Sequence, residues 1–475
     1  MTHHVRPDPP SASWMPPNEL TKDRFAFGRG KIILGRAKGR TVAFDDNRHV
    51  VTVAGSRAGK SATSLMSNLL TWDGSAIVID PKGELATNTA KWRAKLGQDV
   101  YILDPFGEVT GDAAKYRASF NPFDELRVSH SDDVVDSAAM IAEALIVQGE
   151  RGADHWTMSA KNLIRGLCLY ALHAKPQDAS LRDLREILTS PLTEPPDGLS
   201  GSKIALERYF EYMLDAEDAF GGVVSGVGGS MLGKHEEERS AVISTAIEQT
   251  AFLDSPPMRR HLAARGLPSL RVLKHKPTTI FLVLPASKMA THFRWLRLVI
   301  TQAMAALEGE KNKTGRDVLF ILEEFPTLGY MRQIEAAAGL MAGYNVKLWT
   351  VMQDLSQIQA LYPKSWETFL GNAGIVEAFG NTDSVTLEYL SKRLGTTWAV
   401  QRQPENLTLQ AKASGQPHER EQIISVPLMA SYEIAQAFAR DKGNKLVMVA
   451  GEKPFALKRI FWKDMIRGKR SQSKS

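Results

Sequence analysis

The chain has 475 residues, 43% of them hydrophobic and 24% charged, an ordinary globular composition that is too long for one hydrophobic core and predicts about two to four domains. Its 59 Lys and Arg against 53 Asp and Glu leave a net charge of +6, which permits an anionic partner without requiring one. A single cysteine, Cys168, excludes a disulfide framework and a multi-cysteine metal site, suits a reducing cytoplasm, and reads as a buried core residue.

The first stretch, Met1 to Lys22, is polar and carries Pro7, Pro9, Pro10, Pro16 and Pro17, where a secretory signal needs an unbroken apolar run; an extended or disordered arm is expected over residues 1–25. From His49 a strand (His49 to Ala54), a glycine loop (Gly55 to Ser61) and a helix (Ala62 to Leu70) follow one another, the opening of an α/β domain. Strands at Ala76 to Asp80 and Val100 to Asp104, joined by a helix over Glu84 to Leu96, supply a parallel pair with its crossover. Both strands end in Asp-Pro, so the loops at one sheet edge are acidic.

Between about Ser129 and Ala264 the pattern is helical, with runs at Ser131 to Val147, Ala153 to His173, Leu181 to Leu188, Lys203 to Leu214 and Glu236 to Phe252. This predicts an all-α insertion interrupted by a mobile glycine-rich loop at Gly221 to Gly229. Strand and helix then alternate again: Thr278 to Leu284, helix Phe293 to Glu308, Asp317 to Glu323, helix Ile334 to Tyr344, Lys347 to Gln353, Gly374 to Phe379. Such alternation is the signature of a parallel-rich sheet flanked by helices on both faces. Arg402 to Arg420 is polar and predicts a flexible loop; a helix at Ser431 to Arg440, a strand at Lys445 to Ala450 and a basic end from Lys458 to Lys474 complete the chain. The longest apolar runs, such as Ile280 to Leu284 and Val318 to Leu322, are far below the roughly 18 residues that cross a bilayer. The expected organisation is an arm (1–25), the first part of a nucleotide-binding domain (26–128), the all-α insertion (129–264), the second part (265–462) and a basic tail (463–475) that touches nucleic acid or an anionic membrane surface, or is only solvated.

Ala54, Gly55, Ser56, Arg57, Ala58, Gly59, Lys60 and Ser61, followed by Ala62, fit the relaxed P-loop pattern between a buried strand and a helix N-terminus. In that role backbone N–H groups wrap the phosphates of ATP, Gly59 permits close approach, Lys60 reaches the β- and γ-phosphates, and the Ser61 hydroxyl ligates Mg²⁺. Such an enzyme also needs a carboxylate at the end of a second buried strand, and Val318 to Phe325 offers two. Glu323 is expected to organise Mg²⁺ through water and Glu324 to orient and polarise the attacking water. Glu in place of the more usual Asp at position 323 changes the spacing, so binding and hydrolysis are separate expectations. Gln353 closes another apolar strand, where its amide is placed to sense the γ-phosphate.

These residues, with Gly35-Arg36, Val78-Ile-Asp-Pro-Lys-Gly-Glu84, Asn121-Pro-Phe123, Leu322-Glu-Glu-Phe-Pro-Thr-Leu-Gly329, Gln353-Asp-Leu-Ser-Gln357 and Gly451-Glu-Lys-Pro454, resemble the coupling-protein ATPases of bacterial conjugation and type IV secretion, a branch of the RecA-like hexameric motors. The matching segments run from about Phe27 to Trp462. For Asp80 to Glu84 the ordinary alternative is an Asx turn with a helix cap. The resemblance implies a RecA-like P-loop NTPase fold, a homo-hexameric ring with ATP between subunits, and a central channel passing DNA, single-stranded and led by a relaxase. It also implies that the helical insertion meets the DNA or protein substrates at the cytoplasmic mouth. Members usually begin with two transmembrane helices; this chain shows none, as a short form docking on a separate membrane protein or other inner-membrane secretion components, or as a truncated product. Either way it would act at the cytoplasmic face of the inner membrane. A neighbouring subunit should supply a cation, for which Arg294, Arg297 and Arg393 are candidates. Two other readings are an ATP-gated adaptor that presents substrates with little hydrolysis, and a soluble P-loop enzyme acting on a small phosphate acceptor.

Overall fold

The computed structural model describes residues 11–147, 155–191, 205–308, 310–340, 344–404 and 419–466. They form two compact units, one of residues 1–68 and 351–475 and the other of residues 69–350. The strands in chain order are β1 (Ile32–Ala37), β2 (Arg40–Phe44), β3 (His49–Ala54), β4 (Ala76–Asp80), β5 (Asp99–Leu103), β6 (Arg117–Ala118) and β7 (Thr278–Val283). They continue with β8 (Val318–Leu322), β9 (Val346–Met352), β10 (Ala373–Phe379), β11 (Thr396–Pro404), β12 (Glu419–Pro427), β13 (Asn444–Val449) and β14 (Phe455–Lys458).

In the 69–350 unit the order is β9-β8-β4-β7-β5-β6 and every pair is parallel. β4, β7, β8 and β9 are buried along their whole length. Unbroken Val, Ile, Leu and Phe is what a parallel strand needs when both faces are covered. The covering helices include Glu84–Lys95 and the long Ala286–Leu307, which buries Trp295, Leu298 and Val299. Between Ser119 and Pro277 the described residues are helical or irregular, with no strand. The helix His155–Ala174 is central there and buries Leu163, Ile164, Leu167 and Cys168.

The glycine-rich stretch expected to be a mobile loop is instead a turn and a helix: Gly221 and Gly222 take positive φ, and Val223–Leu232 is α-helical. Its packing partners explain the composition. A Cβ on Gly228 would lie 2.6 Å from the Phe210 carbonyl oxygen, and one on Gly166 would lie 2.6 Å from Val227 Cγ1. Close backbone approach therefore outweighs the poor helix propensity of glycine.

In the other unit β2-β1-β14-β13-β10-β3 lie side by side, with β3 and β10 parallel and the remaining pairs antiparallel. β1 and β2 are joined by Lys38 and Gly39, both at positive φ, the two-residue turn whose twist suits a hairpin. Gly35 is required where β1 meets β14, since a Cβ there would lie 2.7 Å from the Lys458 carbonyl oxygen. Arg402 to Arg420, expected as a loop, contributes to a separate two-stranded sheet of β11 and β12, while residues 405–418 fall outside the described residues.

Of the expected arm, residues 1–10 lie outside the described residues. The remainder is packed: Met15, Leu20 and Phe25 are buried, and Met15 N–H donates to the Pro454 carbonyl at 2.9 Å. No helix of the described residues is long and apolar enough to cross a membrane. Residues 467–475 of the basic end lie outside the described residues.

Candidate nucleotide site

β3 delivers Ala54 to the sheet edge, and the next residue must be glycine: a Cβ on Gly55 would sit 1.9 Å from the Gly380 carbonyl oxygen. The Ala58 N–H donates to the Gly55 carbonyl at 3.2 Å, and Arg57 and Gly59 both take positive φ (56° and 89°). Alternating handedness of this kind turns successive N–H groups toward one concavity, a backbone nest for an anion. Lys60 is buried and begins the helical dihedrals. The helix starts as a π-turn over Ser61–Leu65 and continues α-helically over Met66–Leu69; such wide turns recur at functional sites. Thr63 locks the loop's exit, its N–H and hydroxyl donating to the Gly59 carbonyl at 2.9 and 2.8 Å. The called residues Ala54 to Ala62 thus form one continuous strand–loop–helix feature.

Several buried polar residues hold this helix from behind. Asn68 bridges it to β1, donating to the Ile33 and Ser64 carbonyls at 3.1 and 2.9 Å and accepting from Ile33 N–H at 2.8 Å. The Lys445 ammonium donates to Ser64 Oγ at 3.2 Å and to the Glu377 carboxylate, and Thr52 Oγ1 donates to Glu377 at 2.8 Å. All four side chains are buried. Lys445 and Glu377 were legible only as lone charges within apolar strands, and their pairing needs the β10–β13 register.

Arg459, which follows β14, was not signalled by sequence at all. Its guanidinium donates to the Ala58 carbonyl in the loop and to the Arg440 carbonyl, and lies 4.9 Å from the Phe379 ring centre. Partial burial lowers its pKa from the ordinary guanidinium value.

Gln353 follows β9, half-buried, and its carbonyl accepts from Asn381 Nδ2 at 3.1 Å. Asn381 adjoins Gly380, which packs on Gly55, so within this unit the Gln353 backbone is tied to the phosphate loop. Asp354 caps the helix Leu355–Leu361 by accepting from Gln357 N–H at 3.1 Å.

The carboxylates belong to the 69–350 unit. Glu323 leaves the buried end of β8 and is itself buried, whereas Glu324 is half-buried with φ 55° and ψ 43°. A left-handed glutamate is uncommon and costs on the order of 1–3 kcal/mol, the kind of strain that gathers at functional sites. The turn is held by Thr327, whose N–H and hydroxyl donate to the Glu324 carbonyl at 2.9 and 2.8 Å, and by Arg297. That buried guanidinium donates to the Leu328 and Tyr330 carbonyls at 2.8 and 2.7 Å.

Asp80 ends β4, and Ile79 is paired in register with Leu322, so Asp80 and Glu323 leave adjacent parallel strands at the same level. Its carboxyl accepts from Ala86 N–H at 2.8 Å and Lys82 N–H at 3.4 Å, the Asx-turn-and-cap role open to it from sequence. Burial pushes its pKa up to about 7 despite those bonds. Gly83 supplies the positive φ at the helix start.

Among the described residues no group of three or more His, Cys, Asp or Glu is placed to hold a metal. The Ser61 hydroxyl in one unit and the Glu323 carboxylate in the other are each hard oxygen donors, the chemistry that Mg²⁺ takes from a protein when waters and phosphate oxygens supply its other ligands.

A strand that ends in a left-handed glycine loop and runs through a buried lysine into a helix, in one unit, and a parallel sheet whose strands end in acidic residues, in the other, are the marks of the RecA-like α/β class of P-loop fold. The chain belongs to the family described as type IV secretory system conjugative DNA transfer, whose family model matches residues 11–475. It is 26% identical over 371 residues to a conjugal transfer protein TraG of Escherichia coli, covering 75% of this chain and 56% of that protein. It is 24% identical over 456 residues to the protein VirD4 of Agrobacterium fabrum, covering 91% and 61%. The chain therefore spans somewhat over half the length of these relatives. Among solved structures, the unbound bacterial conjugative coupling protein TrwBdeltaN70 superposes with a TM-score of 0.64 at 14% identity, covering 96% of this chain and 95% of that one. The plasmid coupling protein TrwB in complex with ADP and Mg²⁺ gives 0.62 at 14% identity, covering 96% of each chain.

Proposed function

We propose that this chain is an ATP-hydrolysing coupling protein that recruits DNA, single-stranded and carrying its relaxase, or protein substrates, and moves them into a type IV secretion channel. The observation that carries the reading is the loop from Gly55 to Ser61, a backbone nest with Lys60 buried at the helix start, in a chain of the conjugative DNA transfer family. TrwB, which shares the fold, has been solved with ADP and Mg²⁺. In this reading Gly55 to Ala62 wrap the phosphates, Lys60 neutralises their charge, and Ser61 and Glu323 hold Mg²⁺. Glu324 orients the attacking water and Gln353 senses the γ-phosphate. Bound Mg²⁺ would supply charge neutralisation on the phosphate oxygens. The working assembly is a homo-hexamer at the cytoplasmic face of the inner membrane, held there by a membrane partner.

ATP turnover by the purified chain, with and without single-stranded DNA, tests this. Lys60→Ala should abolish Mg²⁺-ATP binding at the phosphate loop and turnover, and Glu324→Gln should keep that binding while lowering kcat at least about a hundredfold. Tight ATP binding through Lys60 with no turnover under any DNA or protein concentration would replace the motor by the substrate-presenting adaptor.

A further inference from the structure

A cleft of about 630 Å³ opens at the β5–β6 edge of the 69–350 unit, against the helix Pro256–Ala263. Four cations line it, Lys115, Arg117, Arg260 and Arg265, with Asp104 as the one lining carboxylate. That carboxylate is buried and engaged: it accepts from the N–H groups of Gly107, Glu108 and Val109 at 2.9, 3.0 and 2.8 Å, and from Arg117 Nε at 3.2 Å. Arg117 and Arg265 are committed locally, Arg117 also to the Val109 carbonyl and Arg265 to the Gln177 carbonyl and to Asp124 at 3.5 Å. Lys115 and Arg260 are exposed, and Arg260 has no ion-pair partner among the described residues. The lining charge of the cleft is therefore net positive, with Asp112 near Lys115 and Asp99 near Tyr101 as acidic neighbours outside the lining.

Two further features narrow the ligand. Tyr101 and Tyr116 are half-buried in the cleft wall, and Lys115 Nζ lies 5.0 Å from the Tyr116 ring centre, so an aromatic surface sits directly beside a cation. His261 also lines the cleft; it is only 6% exposed, its ring meets Trp295 edge-to-face at 5.5 Å, and its buried Nε2 has no hydrogen-bond partner. Cations beside aromatic rings recognise a phosphate next to a planar base; an acidic peptide would use the charges and leave the rings idle.

We infer that this cleft binds a nucleotide unit, its phosphate against Lys115 and Arg260 and its base against Tyr101 and Tyr116. The unit is either a free nucleotide or a nucleotide within a single strand of DNA. None of the lining residues belongs to the phosphate loop, and the binding does not depend on ATP turnover.

The test uses the full chain carrying Lys60→Ala, so that the phosphate loop no longer contributes, and two probes without added Mg²⁺: a fluorescein-labelled oligothymidylate and a fluorescent ADP. Lys115→Glu with Arg260→Glu, both exposed positions, should weaken binding at least about tenfold. Tyr116→Leu, which leaves every charge in place, should weaken it several-fold. Loss confined to the oligothymidylate identifies a strand as the source, and loss of the fluorescent ADP a free nucleotide. Unchanged binding of both probes in the charge-reversed chain, or no binding of either by its Lys60→Ala parent, overturns the inference. So does competition by polyglutamate as effective as by unlabelled oligothymidylate, because the cleft would then read charge alone.

Discussion

Arg459 shows how one side chain outside every recognisable motif sets the shape of the phosphate loop. Its planar fork spans the Ala58 carbonyl and the Arg440 carbonyl while its flat face lies on Phe379, so it fixes which way the Ala58–Gly59 peptide faces. Arg459→Ala should weaken ADP affinity about tenfold, roughly 1.4 kcal/mol. Arg459→Lys keeps the charge without the fork and should fall between. Titration with a fluorescent ADP checks this, and unchanged affinity in the alanine variant removes the role. His261 makes a second prediction. Burial drives its pKa from 6.5 down to about 4, so the folded state favours the neutral ring. The stability this confers is complete above pH 6.5 and is lost as the pH falls toward 4. By pH 5 the loss should be about 2 kcal/mol. Urea unfolding at pH 7 and pH 5 measures it, and His261→Phe, which keeps a ring against Trp295, should remove that part of the acid sensitivity.

At the level of elements, the ion pair between β10 and β13 fastens the sheet to the helix after the phosphate loop. Lys445→Met would leave the Glu377 carboxylate buried without its partner, which costs about 3–5 kcal/mol. Adding Glu377→Leu should recover most of that loss, and a double-mutant cycle in urea separates the pair's own contribution from the penalty for orphaning a charge. The same strands show what was legible in the sequence. β3, β4, β7, β8, β9 and β10 were readable because each is an apolar run, and the phosphate loop because its geometry is encoded in consecutive residues. β1, β2 and β14 were not assigned, although Lys38-Gly39 carried a hairpin signal. The Val223–Leu232 helix looked like a loop because Gly228 makes sense only against the Phe210 backbone and Val227 only against Gly166, contacts that belong to other helices. Arg459 and the Glu377–Lys445 pair were hidden for the same reason: their partners are set by tertiary register.

If the chain works as the ring proposed above, a neighbouring chain supplies a cation to each phosphate loop. Two of the three candidates have other employment. Arg297 is buried and holds the Leu328 and Tyr330 carbonyls, and Arg294 is half-buried and donates to Gln249 Oε1 at 2.7 Å and to the Leu145 carbonyl at 3.1 Å. Both serve their own chain. Arg393 is exposed near the end of the helix Ser384–Leu394, tied by single bonds to the Leu370 carbonyl and the Tyr389 hydroxyl, each at 3.1 Å. A guanidinium in that setting is free to extend to a neighbour at little cost. If Arg393 acts in trans, Arg393→Ala and Lys60→Ala are each inactive alone, yet their mixture contains interfaces that join an intact Lys60 on one chain to an intact Arg393 on the next. Turnover should then reappear on mixing and rise with total protein concentration as rings assemble. Mixtures that stay inactive at every ratio, while light scattering shows that the two variants co-assemble, would exclude Arg393 as the shared cation.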